Sequence, residues 1–394
     1  MTIQKRDDLF VRNEREAQLV DRAAELAARF AKRAPLHDRD GSFPFENFKD
    51  LKDSGYVKLT VPREYGGDEI SLYELLLIQE QLGRGDGSTA LSIGWHMGLV
   101  LHYRTIRSWP EELFRSFCLE VVEKGTLLNH FSTERSSGSP SRGGIPQTTA
   151  VRTDGGWLIS GRKTFSTLSP VLDTFLVSAS MAESGQIGEF LVRSSDRIRI
   201  EETWNTLGMR ATGSHDVILE NAFVPDDALI RSYAAGQKPK ESGDASAWLL
   251  HIPACYLGIA HAARDFAVSF AKQYHPASLP SPIADLPTVQ QQIGLLESEL
   301  LVARHLMYAI ADRWDTDPAG RLKLIPELGL VKYVATNHAI SIVDKAMRIV
   351  GGASLSRSLP LERMYRDVRA GLHNPPMDEN VIRNLALRAL AEME

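Results

Sequence analysis

The spacing of apolar residues changes twice along this chain, and that change limits what it can fold into. Up to about residue 125 the spacing is helical: Leu19, Ala23, Leu26 and Phe30 lie four, three and four positions apart and share one helix face. Between about Thr126 and Ile230 the pattern shortens to runs of a few residues separated by turn signals. From about Ala245 onward long helical stretches return. The expected architecture is therefore an α+β multi-domain chain: a helical domain over 1–125, a β domain over 126–235 and a second helical domain over 236–394. The length of 394 residues fits two or three units of about 150 residues.

Local signals divide these regions further. Pro35 and the polar run His37–Ser42 predict the end of the first helix. A helix is expected over about Leu72–Leu82, and Asp86-Gly-Ser-Thr-Ala90 opens another through His96. Trp109-Pro-Glu-Glu112 reads as a further helix start, with Pro110 near the first turn and acids where the helix dipole favours them. Thr149–Thr153, Asp154-Gly155-Gly156 and Trp157–Ser160 predict a β-hairpin. Strands are expected at Phe175–Ser178, Phe190–Val192, Val217–Glu220 and Phe223–Val224, in a small antiparallel barrel or sandwich. Four late helices follow, over Cys255–Tyr274, Val289–Trp314, Glu327–Val350 and from Asp378.

Composition removes several function classes. The 45 basic and 50 acidic residues are dispersed, without the basic stripe that nucleic-acid binding needs. Cys118 and Cys255 are too few for a disulfide framework, and no histidine, cysteine or acid spacing suggests a metal site. Met1–Arg15 is charged and lacks the apolar core of a secretory signal, and Ala90–Leu101 is too short to span a bilayer. A cytoplasmic protein is the expectation.

Six short motifs occur in one order: Val61-Pro-Arg-Glu-Tyr-Gly-Gly67; Thr133-Glu134 with Gly138-Ser139; Gly161-Arg-Lys-Thr-Phe165-Ser-Thr167; Leu207-Gly-Met-Arg210 through Val224-Pro225; Ile349-Val-Gly351-Gly352; and Pro360-Leu-Glu-Arg363 with Arg366-Asp367. Over nearly the whole chain this order resembles the acyl-CoA dehydrogenase superfamily. The resemblance implies that family's three-domain fold, a flavin cofactor and a homotetramer. By position it assigns the isoalloxazine contacts to Phe131, Ser132, Thr133, Phe165, Ser166 and Thr167, and further cofactor contacts to Ser139, Gly351 and Gly352. Thr133 and Thr167 also suit ordinary strand positions. No Gly-x-Gly-x-x-Gly follows a predicted strand, which disfavours a nicotinamide site.

Departures from the family pattern carry as much weight. Pro375 stands where the family's common catalytic glutamate would be, and Trp248 stands near the alternative site for that base. Asp378 or Glu379 remains as a substitute base, or as a cap for the last helix. The stretch His275–Pro282 lacks the arginine and phenylalanine with which relatives hold the adenosine half of FAD, and Arg348 replaces a glutamine. FMN is therefore favoured over FAD, with Arg348 or Arg369 either anchoring its phosphate or forming ion pairs.

Leu372-His373-Asn374-Pro375 is similar to a segment of flavin monooxygenases built on this fold. That branch takes reduced flavin from a separate reductase and uses O2 through a C4a-hydroperoxide on aromatic or sulfur compounds. The resemblance assigns His373 and His96 to the catalytic site, because imidazole can donate and relay a proton near neutral pH. Two plainer readings stand beside these: His373 satisfying a helix C-terminus, and His96 as a core histidine. The function expected is a two-component monooxygenase acting on a small organosulfur or aromatic substrate. The alternative is an FAD-dependent acyl-CoA dehydrogenase with a non-standard base.

Overall fold

A computed structural model describes residues 8–136, 144–235 and 246–391. Five helices come first: α1 (Glu14–Asp40), α2 (Phe45–Asp53), α3 (Leu72–Gly85), α4 (Gly87–Ile106) and α5 (Glu111–Lys124). Pro35 does not end α1, as the sequence had suggested; it lies inside a helix that runs on to Gly41 in the left-handed region. The extra turn is held from outside: His37 binds Ser42 and Glu46, and Asp38 pairs with Arg366. Tertiary contacts here outweigh the helix-breaking tendency of proline.

α3 and α4 start on side-chain caps. Ser71 and Glu74 form a reciprocal capping box, and Asp86 accepts the Ser88 and Thr89 amides. α3 is enclosed by α1, α4, α6 (His251–Gln273) and α7 (Pro287–Thr316), with Leu75, Leu76, Ile78 and Leu82 fully buried. It passes close to α6 because glycines meet there; a Cβ on Gly83 would collide with the Cys255 carbonyl.

Among the described residues eight strands form one sheet: β1 (Leu128–Phe131), β2 (Thr149–Thr153), β3 (Gly156–Ser166), β4 (Thr174–Met181), β5 (Gln186–Arg193), β6 (Ile198–Glu201), β7 (His215–Pro225) and β8 (Leu229–Ala234). The path is β6-β7-β3-β2-β4-β5-β8, with β1 also on β4. The expected β2–β3 hairpin is present, Thr153 facing Gly156. The sheet is not wholly antiparallel: β1 and β2 both run parallel to β4, with Leu128–Phe131 opposite Thr174–Val177. Hairpin signals report only sequence neighbours, so they could not show these pairings.

The remaining helices are α8 (Ile325–Val350), α9 (Leu361–Val368) and α10 (Asp378–Ala391). Among the described residues no helix is long and apolar enough to cross a membrane.

Candidate active site

The ends of β1 and β3 converge. The Thr164 amide donates to the Thr133 carbonyl at 2.9 Å, and Asn129, on β1, donates its side-chain amide to the Thr167 carbonyl at 2.8 Å. Phe131, Ser132, Thr133, Phe165, Ser166 and Thr167 are thereby brought to one place. Phe165 adopts the left-handed conformation, φ +55°, which turns its ring outward to 66% exposure and against Trp204, centroids 5.9 Å apart. That conformation is rare for an aromatic residue and marks a turn shaped by something other than packing. A cavity of about 240 Å³ opens here between Thr164, Phe165, Trp204, Ser214 and Arg135.

Two features of this turn fit a flavin ring. The Ser166 hydroxyl is fully buried with no protein partner. Beside it, Thr167, Ser214 and Thr212 form a chain of hydroxyls at 2.8 Å per step, so their protons can be passed along or reoriented toward a bound acceptor. Thr212 ends the Met209–Thr212 segment that the sequence suggested as a cover for the substrate side; Asn129 and Ser214 were not singled out, since nothing local marks either as a site residue. Ser139 lies outside the described residues.

Glu134, the acid of the Thr-Glu motif, is not available for proton transfer. It accepts from the Lys163 ammonium at 2.6 Å, from the Thr148 hydroxyl at 2.7 Å and from the Gln147 and Thr148 amides. Burial alone would push its carboxyl up, but Lys163 and these donors outweigh it and hold the group at about 2. The pair staples the site loop to β3.

Met209 ties the β loops to the helices. Its carbonyl accepts from Trp204 Nε1 at 2.9 Å and the Thr212 hydroxyl at 3.1 Å, and its amide donates to Asp367, next to the motif arginine Arg366 on α9. Gly208 fits only because it lacks a Cβ, which would strike the Arg366 carbonyl. Six residues beyond α9, the Asn374 amide oxygen accepts from Tyr256 of α6 at 2.6 Å. This fixes the backbone beside His373, which itself is exposed.

His96 needs correction. It is completely buried; Nε2 lies 3.0 Å from the Val57 carbonyl, and Nδ1 accepts the Leu128 amide at 3.1 Å. Burial lowers its pKa to about 4. Both nitrogens are committed to backbone, so His96 clamps α4 to β1 and has nothing left for a reacting group. Arg369 pairs with Asp344 at 3.0 Å and covers the Tyr365 ring, as the ion-pair reading had it. Arg348, Gly351 and Gly352 lie at the solvent-facing end of α8. Asp378 is bound by Lys332 at 2.8 Å and by Asn337 at 2.9 Å, which removes it as a ready base. Glu80, the buried acid of α3, is likewise taken by Arg304, Tyr308 and His261.

Three family models match in succession: acyl-CoA dehydrogenase N-terminal domain over 13–117, middle domain over 130–222 and C-terminal domain over 250–372. YdbM of Bacillus subtilis (strain 168), which carries a provisional acyl-CoA dehydrogenase designation, is 48% identical over 97% of this chain and 99% of its own. The chain belongs to the acyl-CoA dehydrogenase superfamily. It is thus a flavoprotein of the oxidoreductase class, and the converged β1 and β3 ends lie within the matched middle domain. The amino sugar nitrososynthase RubN8 of Streptomyces rubradiris is 30% identical over 88% of this chain and 83% of its own. The structure of KijD3 with FMN and a dTDP-linked amino sugar superposes with a TM-score of 0.83 at 25% identity, covering 96% of this chain and 94% of that one.

Proposed function

We propose that this superfamily member is a two-component monooxygenase, using reduced FMN from a separate reductase and O2 on a small organosulfur or aromatic substrate. The observation that carries this reading is the state of the positions a dehydrogenase needs for its base. Pro375 stands at one family position and Trp248 near the other, the nearby Asp378 is consumed by Lys332 and Asn337, and Glu379 is solvent-exposed at the start of α10. Removing a substrate α-proton requires a carboxylate free to receive it. Support for FMN comes from KijD3, crystallised with FMN, and RubN8 is named for oxidation at nitrogen rather than for acyl-CoA chemistry.

When bound, reduced flavin supplies the electrons for oxygen activation. The chain's own groups bind and shield it. Phe131, Ser132, Thr133 and Phe165 would form the cradle; Ser166 and the Thr167–Ser214–Thr212 hydroxyls would supply hydrogen-bond donors to the flavin. His373, next to the Asn374 side chain anchored by Tyr256, would hold and deliver a proton in that reaction. The Leu207–Arg210 turn, pinned by Asp367, excludes water, which otherwise diverts such reactions into peroxide release. Arg348, Gly351 and Gly352 complete a neighbouring subunit's cofactor site in a homotetramer, and the enzyme works in the cytoplasm.

The test is stopped-flow absorbance of the anaerobically reduced enzyme–FMN complex mixed with oxygenated buffer. A long-lived absorbance phase between the reduced and oxidised spectra supports the reading. Direct return of oxidised flavin sinks it. The second reading, an FAD-dependent acyl-CoA dehydrogenase, is favoured by the designation of YdbM. It requires acyl-CoA thioesters to bleach the oxidised flavin without oxygen.

A further inference from the structure

β3 slips register against β7 twice, between Ile159 and Gly161 and between Lys163 and Ser166. Such bulges re-aim the side chains beside them and gather near active sites. Between the two slips Lys163 turns fully inward to Glu134, whereas Arg162 stays outside with its side chain 40% exposed. A second cavity, of about 250 Å³, lies beside this stretch, lined by Glu134, Arg135, Gln147, Thr148, Gly161 and Arg162. Gly161 admits Thr148 to its wall, since a Cβ there would collide with the threonine. Arg135 and Thr164 also line the cavity at the flavin turn, so the two spaces adjoin.

The charges around this second cavity do not balance. Arg135 and Arg162 both reach one oxygen of Asp216, at 3.1 and 2.7 Å, and the other oxygen takes the Thr203 hydroxyl at 3.0 Å. Arg162 also pairs with Glu201, which Arg199 shares at 2.9 Å. Three guanidiniums thus stand on two carboxylates, and the next acid, Glu220, lies 3.9 Å from Arg199 and outside the cavity lining. Glu134 adds no free negative charge, because Lys163 neutralises it. Arg135 is the least engaged of the three. Among the described residues it holds Asp216 alone, through Nη2, and its side chain is 68% exposed. A guanidinium carries five N–H donors, so most of its capacity remains for a ligand.

We propose that Arg135, backed by Arg162, anchors the phosphate of FMN, the ring taking the turn cavity and the phosphate the second one. The inference rests on the choice of FMN made above and needs no oxygen chemistry. A molecule that fills both spaces must pair a body suited to the turn with a tail that supplies the missing negative charge. A flavin phosphate does this, and arginine meets phosphate with parallel charge-assisted N–H bonds. The strand from Arg162 to Ser166 spans at most about 13 Å. A ring with a five-carbon ribityl arm has a reach of that order. Arg369, which the sequence had offered for this role, is held by Asp344 and by the Tyr365 carbonyl.

Titration of the full-length, flavin-free protein with FMN and with riboflavin, followed by quenching of flavin fluorescence, tests this. Riboflavin has the same ring and ribityl arm and lacks the phosphate. FMN is expected to bind the parent protein about tenfold or more tightly than riboflavin. Arg135→Ala should weaken FMN binding about tenfold while leaving riboflavin affinity and melting temperature unchanged. Arg135→Lys, which keeps the charge without the planar fork, should restore part of the preference for FMN. Equal affinity of the parent for the two ligands, binding of neither, or undiminished FMN affinity in Arg135→Ala overturns the proposal. So does an equal loss of both ligands, which would make Arg135 a part of the ring cavity. Oxygen and reductant play no part in this titration, so its failure is separate from failure of the stopped-flow test.

Discussion

The Asp367 carboxylate accepts the Met209 amide at 2.6 Å, joining α9 to the turn that covers the candidate site across 158 positions of sequence. Burial drives this carboxyl up to about 7, against the opposing pull of Arg363 and the Met209 N–H. The native state then retains a proton that the unfolded chain releases near pH 4. Stability is accordingly expected to fall as pH rises from about 4 to about 7, at no more than about 1.4 kcal/mol per pH unit for one proton. Asp367→Asn keeps an acceptor for Met209 and loses that slope. Urea midpoints of both proteins at several pH values check this; identical slopes would refute it.

His96 behaves in the opposite sense. Its pKa, lowered by burial to about 4, makes the unfolded chain the better proton binder below pH 6.5, so its contribution is complete above that value and fades as pH falls toward 4. His96→Leu strands the Val57 carbonyl and the Leu128 amide, and should cost about 2–4 kcal/mol in chemical denaturation. The folded fraction should retain its FMN affinity. Loss of oxygen reactivity with stability intact would return His96 to the active site.

Ser166→Ala separates cofactor binding from folding. The hydroxyl has no protein partner, so removing it should leave the stability of the cofactor-free protein unchanged or raise it by about 1 kcal/mol. FMN binding, followed by quenching of flavin fluorescence, should weaken about tenfold. A stability loss without a change in FMN affinity contradicts the cradle described above.

His373 is exposed, and His373→Asn should shift stability by less than about 0.5 kcal/mol. Turnover, measured as oxygenated product per reduced flavin consumed, should fall about 100-fold while hydrogen peroxide rises. Product yield equal to that of the parent enzyme would remove His373 from the mechanism.

Much of this was open to a reader of the sequence, and the divide follows physical lines. The α4 start at Asp86, the β2–β3 hairpin and the helix starts near Leu72 and Glu111 rest on spacing, caps and turns within a few residues, and they stand where the sequence had them. The ordered motifs carried the family, because a close approach such as the one at Gly208 constrains residue type at that point.

What the sequence could not decide was which polar side chains are already occupied. His96, Asp378 and Arg369 all had chemistry suited to a site, and Leu128, Lys332 and Asp344 claim them from far along the chain. The parallel pairing of β1 with β4, the Met209–Asp367 link and the Arg135–Asp216 pair likewise arise between distant segments. Local periodicity reports the conformation of a stretch and which face is apolar. Whether a given imidazole or carboxylate is free to react depends on its burial and partners, and only tertiary packing sets those.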